Sequence, residues 1–181
     1  MSNSVDIGRL RMIRSRFYLN QYNKLDNCDE ADILKEYELR SYIEKKDYNY
    51  VLENVDSNDS IGLQVCKQYA TFRASSTDDE KELIIDTIEE WLKDDMFNDN
   101  ITLQYIAALM YYEVDSIEKA LSILMKYATK NIEFTYLIVL IYLKLYRLDL
   151  AEKMIQLMEQ IDDDDCLTIL ATSFVNIASL D

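Results

Sequence analysis

Two glycines and no proline in 181 residues leave this chain almost without the residues that make tight turns. Average usage would supply roughly thirteen and nine. Sheets joined by tight hairpins draw on glycine for backbone with positive φ, so an all-β fold is disfavoured against helices joined by short connections. Gly8 and Gly62 stand too far apart to form a phosphate-cradling loop, which needs glycine where the backbone approaches the anion. The chain also has no histidine. That removes Ser-His-Asp and Cys-His catalysis, histidine-bearing zinc sites and imidazole acid–base chemistry.

The formal charge is −15, from 34 acidic and 19 basic residues. Nucleic-acid binding by phosphate neutralisation needs the opposite sign, and an anionic membrane surface is disfavoured for the same reason. Cys28, Cys66 and Cys166 are odd in number, widely spaced and without a CxxC pair, so they read as reduced thiols of a cytosolic protein. The arginine-bearing stretch 1–17 has no continuous apolar core and does not read as a signal peptide. The longest wholly apolar runs, Tyr105–Tyr112 and Tyr136–Leu143, are eight residues each. A membrane span needs about 20, so the expectation is a soluble intracellular protein with no membrane insertion.

Apolar residues recur at spacings of three and four, which predicts helices over 6–19, 30–46, 49–55, 60–74, 78–95, 101–114, 117–129, 132–145, 148–160 and 165–179. Thr77-Asp78-Asp79-Glu80 has the pattern of a capping box. The four aspartates 162–165 sit where carboxylates favour the positive end of a helix dipole. They lack the spaced ligands, glycine and distal glutamate of an EF-hand loop, so no metal site is read there.

The chain also repeats itself. Laying 101–131 over 132–162 pairs Ile101 with Ile132, Tyr105 with Tyr136, Leu109 with Leu140, Tyr111 with Tyr142 and Ala120 with Ala151. Conservative pairs surround these, among them Met110/Ile141, Ile117/Leu148 and Leu124/Ile155. Each window reads as two antiparallel helices joined at Asp115–Ser116 or at Tyr146–Arg147. One such pair cannot bury its apolar face alone and must stack on neighbours. The spacing Tyr111…Ala120…Leu124 and Tyr142…Ala151…Ile155 fits a degenerate tetratricopeptide repeat, in which the alanine lets two helices cross closely. An earlier copy is visible at Tyr42…Val51…Val55, 60–95 forms a more divergent pair, and an incomplete repeat opens at 163. The predicted fold is all-α: a right-handed α-solenoid of antiparallel, tetratricopeptide-like helix pairs, with residues 1–181 as a single domain.

In such repeats the first helix of each pair lines the concave surface. The inward stripe is then Tyr105, Leu109 and Tyr112 on one repeat and Tyr136, Leu140 and Leu143 on the next, with Tyr111 and Tyr142 packing between helices. This aromatic and apolar stripe is the candidate partner-binding surface, because aromatic anchors supply most of the affinity of such contacts. Lys144 is the one obvious base beside it. Two charged features carry both a solvated-face and a docking reading. Residues 78–99 hold ten acidic and two basic residues. Arg9, Arg11, Arg14 and Arg16 flank a stripe of Leu10, Ile13 and Phe17 predicted to be buried.

Specific stretches resemble one family, the epsilon subunit of coatomer. The most telling is Tyr142-Leu143-Lys144-Leu145-Tyr146-Arg147-Leu148-Asp149-Leu150-Ala151-Glu152-Lys153, leading into Met158-Glu159-Gln160-Ile161-Asp162-Asp163-Asp164 and Leu167-Thr168-Ile169-Leu170-Ala171-Thr172-Ser173-Phe174-Val175-Asn176. Leu10 to Phe17, Tyr18-Leu19 and Tyr22 near the start, Trp91-Leu92, and Thr102-Leu103-Gln104 fit as well, while Asn20 stands where the family has glycine. The resemblance implies a non-catalytic, cofactor-free scaffold of the vesicle coat operating between Golgi and endoplasmic reticulum. It also implies binding to the C-terminal region of the coatomer alpha subunit, with other coatomer subunits reached indirectly. The alternative is an independent tetratricopeptide adaptor that grips a peptide segment of another protein. Members of the family continue past the point where this chain stops. The last helix is therefore expected to leave Leu167, Leu170, Phe174 and Val175 without sequence-adjacent cover, favouring self-association or another protein over that end.

Overall fold

A computed structural model describes residues 7–21 and 32–180. Position 6 and positions 30–31 of two predicted helices, Tyr22, Cys28 and the side chain of Arg9 lie outside what it describes. The described residues form ten helices and no strand: α1 (Ile7–Tyr18), α2 (Asp32–Glu44), α3 (Tyr48–Glu53), α4 (Ile61–Ala74), α5 (Asp78–Lys93), α6 (Ile101–Glu113), α7 (Ile117–Leu124), α8 (Ile132–Lys144), α9 (Leu148–Asp162) and α10 (Cys166–Ala178).

Local chemistry sets the ends. Thr77 Oγ1 accepts the Glu80 amide at 3.3 Å and Glu80 Oε2 accepts the Thr77 amide at 3.4 Å, which completes the capping box at the start of α5. Of the four aspartates, buried Asp165 is the cap: it accepts the Leu167 amide at 2.9 Å and opens α10. The prediction for α7 runs five residues too far. Beyond Leu124 the amides of Lys126 and Tyr127 bond three residues back, to Ile123 and Leu124. The Ala128 carbonyl then accepts the buried Thr135 hydroxyl at 2.6 Å, turning the chain into α8.

Three helix connections share one construction. After α2, α6 and α8 a single residue adopts positive φ: Lys46 (64°), Asp115 (61°) and Tyr146 (56°). The next amide then reaches back to the carbonyl of Tyr42, Tyr111 or Tyr142, at 2.9, 2.8 and 2.9 Å. This is the Schellman arrangement, usually built on glycine. The three acceptor tyrosines are the ones that mark the repeat in the sequence. Asn20 (57°) ends α1 the same way, its following amide bonding to Arg16.

The chain packs as two compact units, the first ending at Met110 and the second beginning at Tyr111. In the first, α2 packs against α1, α3 and α4, and α5 lies on α4. Ile13 and Phe17 of α1 are buried with Leu34 and Tyr37 of α2, and Leu10 packs against them, as the arginine-flanked stripe predicts. Arg40 is buried among rings, its guanidinium carbon 4.7, 4.8 and 4.9 Å from the centroids of Phe17, Tyr37 and Tyr105. Glu36, also buried, accepts the Thr102 hydroxyl. A Cβ at Gly62 would run into the Glu36 carboxylate, so this glycine makes room for it. In the second unit α8 is almost wholly buried, packed by α7, α9 and α10. Ala151, fully buried on α9, permits the close approach that the repeat pattern requires.

Candidate partner-binding surfaces

The stripe residues divide by burial. In the first unit, Tyr105 is buried and Leu109 half-buried. The Tyr105 hydroxyl lies 2.8 Å from that of Tyr18, which also accepts from Arg40 at 3.3 Å. Its ring therefore belongs to the core around Arg40. In the second unit Tyr136 is buried, and burial, with Cys166 adding to it, pushes its phenol up to about 12. Tyr112, Leu140 and Leu143 are half-buried. Tyr111 and Tyr142 are buried, as expected of residues packing between helices.

Leu140, Leu143 and Lys144 follow at i, i+3 and i+4 and share one face of α8. Lys144 Nζ sits 4.8 Å over the Tyr112 ring and donates to Asp115 Oδ1 at 2.7 Å. That carboxylate holds the ammonium above its usual range. The nearby Arg147 guanidinium makes a two-pronged contact with Asp149, at 2.8 and 2.9 Å, which lowers the Asp149 carboxyl. The cations at this end of α8 are thus already engaged by carboxylates of the same unit.

The last helix presents a different face from the predicted one. Leu167 and Val175 are buried, because α10 packs on both α8 and α9 through Leu167, Thr168, Ala171 and Val175. Leu170 is half-buried. The exposed apolar residues are Ile169 (57%), Phe174 (40%), Ile177 (62%) and Leu180 (85%). Alongside runs an open groove of about 470 Å³ between α9 and α10, lined by Glu159, Asp163, Thr168, Ile169, Thr172 and Ser173.

Elsewhere, α5 buries Ile84 and Ile88 and turns Asp79, Glu82, Asp86 and Glu90 to solvent. Cys66 is fully buried, and burial with Glu36 nearby pushes its thiol well above the ordinary range, so it is not a nucleophile at neutral pH. No group of three or more metal-ligating side chains occurs among the described residues, and no helix there is long and apolar enough to cross a membrane. Sequence reasoning missed the Arg40 and Glu36 clusters, since charged residues on an amphipathic helix are read as solvated. The positional signal for Glu36 was Gly62, a glycine in the first turn of α4 in a chain that has only two.

The fold defines a class: all-α proteins built of antiparallel, tetratricopeptide-like helix pairs. The family model for the coatomer epsilon subunit matches residues 8–180, and the chain belongs to that family. It is 31% identical over 174 residues to coatomer subunit epsilon-2 of Arabidopsis thaliana, covering 92% of this chain and 58% of that protein. Against epsilon-1 of the same plant the identity is 30% over 186 residues, covering 98% and 62%. Against epsilon-1 of Oryza sativa subsp. japonica it is 32% over 174 residues, covering 92% and 58%. The chain therefore spans about three-fifths of the length of these relatives.

Proposed function

We propose that this chain is a non-catalytic structural component of the coatomer vesicle coat. It binds and steadies the C-terminal region of the alpha subunit in Golgi-to-ER and intra-Golgi transport, and sits peripherally on the cytoplasmic side of Golgi membranes and vesicles. The observation that carries this reading is the family match over nearly the whole chain. Leu140, Leu143 and Tyr112 are the proposed contact residues, half-open beside a fully packed core. Tyr136 supports them from beneath rather than touching the partner. The adaptor reading, in the form that grips an acidic peptide tail, needs cations free to meet carboxylates. Lys144 and Arg147 are engaged with Asp115 and Asp149, which argues against it. Co-purification of this chain with the C-terminal region of the alpha subunit on a sizing column tests the assignment. A one-to-one complex is expected; separate elution, both here and with a chain of the relatives' full length, contradicts it.

A further inference from the structure

We infer that Ser76 is a phosphorylation site for a protein kinase that reads the carboxylates following its acceptor serine. Five hydroxyls of the sequence stand three residues before a carboxylate: Ser41, Ser75, Ser76, Thr77 and Thr87. Kinases select substrates by charge patterns of this kind, with basic side chains of the enzyme meeting the substrate's acids. The fold withholds four of the five. Ser41 is fully buried and donates to the Glu38 carbonyl at 2.6 Å. Ser75 is half-buried and donates to the Thr71 carbonyl at 2.9 Å. Thr87 lies inside α5 and donates to the Leu83 carbonyl at 3.1 Å. Thr77 is exposed, but its oxygen accepts the Glu80 amide as the cap of α5. Ser76 is exposed, and its hydroxyl makes no hydrogen bond among the described residues.

The surroundings of Ser76 fit such a reaction. It lies in the connection between α4 and α5, and the backbone on either side is extended, at Ser75 (φ −63°, ψ 137°) and Thr77 (φ −119°, ψ 152°). Asp78, Asp79 and Glu80 follow, all exposed. Arg73, on the other side, is drawn to Glu44 at 3.6 Å and donates to the Tyr69 hydroxyl at 3.0 Å, so the open charge beside Ser76 is acidic. For a kinase to take Asp79 as extended chain, the first turn of α5 must unwind. Glu80 Oε2 holds that turn's approach through the exposed amides of Ser76 and Thr77, at 3.1 and 3.4 Å. A helix end secured by exposed bonds is among the first parts of a fold to open. In the reaction Ser76 Oγ attacks the γ-phosphorus of ATP. The new O–P bond forms as the bond to the leaving ADP oxygen breaks, and the hydroxyl proton passes to the kinase's catalytic carboxylate. The product adds a charge of about −1.5 to −2 at pH 7 where α5 begins.

The test incubates the full folded chain with ATP and casein kinase 2, an acid-directed enzyme, and follows phosphoryl incorporation by mass spectrometry. One group is expected, mapped to Ser76. Ser76→Ala is expected to abolish it, whereas Thr77→Ala retains it. Asp79→Ala is expected to slow it at least about tenfold, and Asp86→Ala, farther along α5, to change the rate by less than about twofold. Protein kinase A, which reads basic residues before the acceptor, is expected to label the chain at least about tenfold more slowly. Labelling that persists in Ser76→Ala, or that is lost in Thr77→Ala, overturns the assignment. So does equal labelling by protein kinase A. Labelling of a peptide spanning 70–85 but not of the folded chain also overturns it, since the first turn of α5 would then stay closed to the enzyme.

Discussion

The hydroxyls of Tyr18 and Tyr105 lie 2.8 Å apart, a hydrogen bond that spans 87 residues of sequence. It ties the end of α1 to the first half of α6, and Arg40 of α2 donates to the same Tyr18 oxygen while lying over the Tyr105 ring. Removing the hydroxyl in Tyr105→Phe is expected to cost about 1 kcal/mol, the usual net worth of one buried hydrogen bond. Arg40→Lys keeps the charge but loses the planar guanidinium that stacks on three rings, and about 1–2 kcal/mol is expected to be lost with it. Urea midpoints of the two variants check both values. An unchanged midpoint for Arg40→Lys would mean that charge alone suffices there.

Gly62 tests the neighbouring cluster. Alanine gains about 1 kcal/mol over glycine in a helix interior, and less in the first turn, where Gly62 stands. Here the added Cβ meets the Glu36 carboxylate, which is buried and bonded to Thr102. Overpacking of this kind costs about 1–3 kcal/mol, so Gly62→Ala is expected to be net destabilising by about 1 kcal/mol. The penalty should disappear when Glu36→Ala is introduced as well, which a double-mutant cycle in denaturant reads directly.

Tyr146 gives the opposite sign. Its backbone is left-handed (φ 56°) and its side chain is 92% exposed, so it carries strain with little packing to lose. The left-handed conformation costs a side-chain-bearing residue about 1–2 kcal/mol, against about 0.4–1 for the extra freedom glycine gives the unfolded chain. Tyr146→Gly should therefore raise stability by about 0.5–1 kcal/mol, and Tyr146→Val should lower it. Thermal unfolding of the pair distinguishes strain from indifference at this turn.

Tyr136 makes stability depend on alkaline pH. Its phenol is raised from 10.0 to about 12, so between these values the folded state holds a proton that the unfolded state has released. Stability from this group is complete below pH 10 and is lost as pH rises through about 12. Tyr136→Phe should flatten the decline in unfolding free energy over that window. Tyr50, raised to about 12 by burial and by Glu38, supplies a second contribution that Tyr50→Phe removes separately. A decline unaltered in both variants would assign it to other groups.

Periodicity located the ten helices of the described residues, because each buries an apolar stripe and the caps at Thr77 and Asp165 are local signals. The repeat was legible because Tyr111 and Tyr142 stand at the same place in equivalent turns. What the turns use was not legible: Lys46, Asp115 and Tyr146 adopt a backbone that sequence rules assign to glycine. Their conformation is imposed by the packing of the helices on either side. The burial of Arg40 and Glu36 was hidden for a related reason, since apart from Tyr37 on the same helix their partners come from α1, α4 and α6. On the candidate surface, spacing put Tyr105 and Leu109 on one face but could not tell which of them the core would take. The face of α10 was misassigned because spacing alone does not show that a helix packs on two neighbours at once.

If the half-open face of α8, with its neighbour Tyr112, receives the alpha subunit, two leucines on that face should govern the affinity. The decisive measurement is a calorimetric titration of the alpha subunit's C-terminal region into this chain and into its Leu140→Glu/Leu143→Glu variant. One-to-one binding to the unaltered chain is expected, with a loss of at least about tenfold in the variant and helicity retained. Equal binding by the folded variant, or absence of binding both by the unaltered chain and by a chain of the relatives' full length, would contradict the assignment.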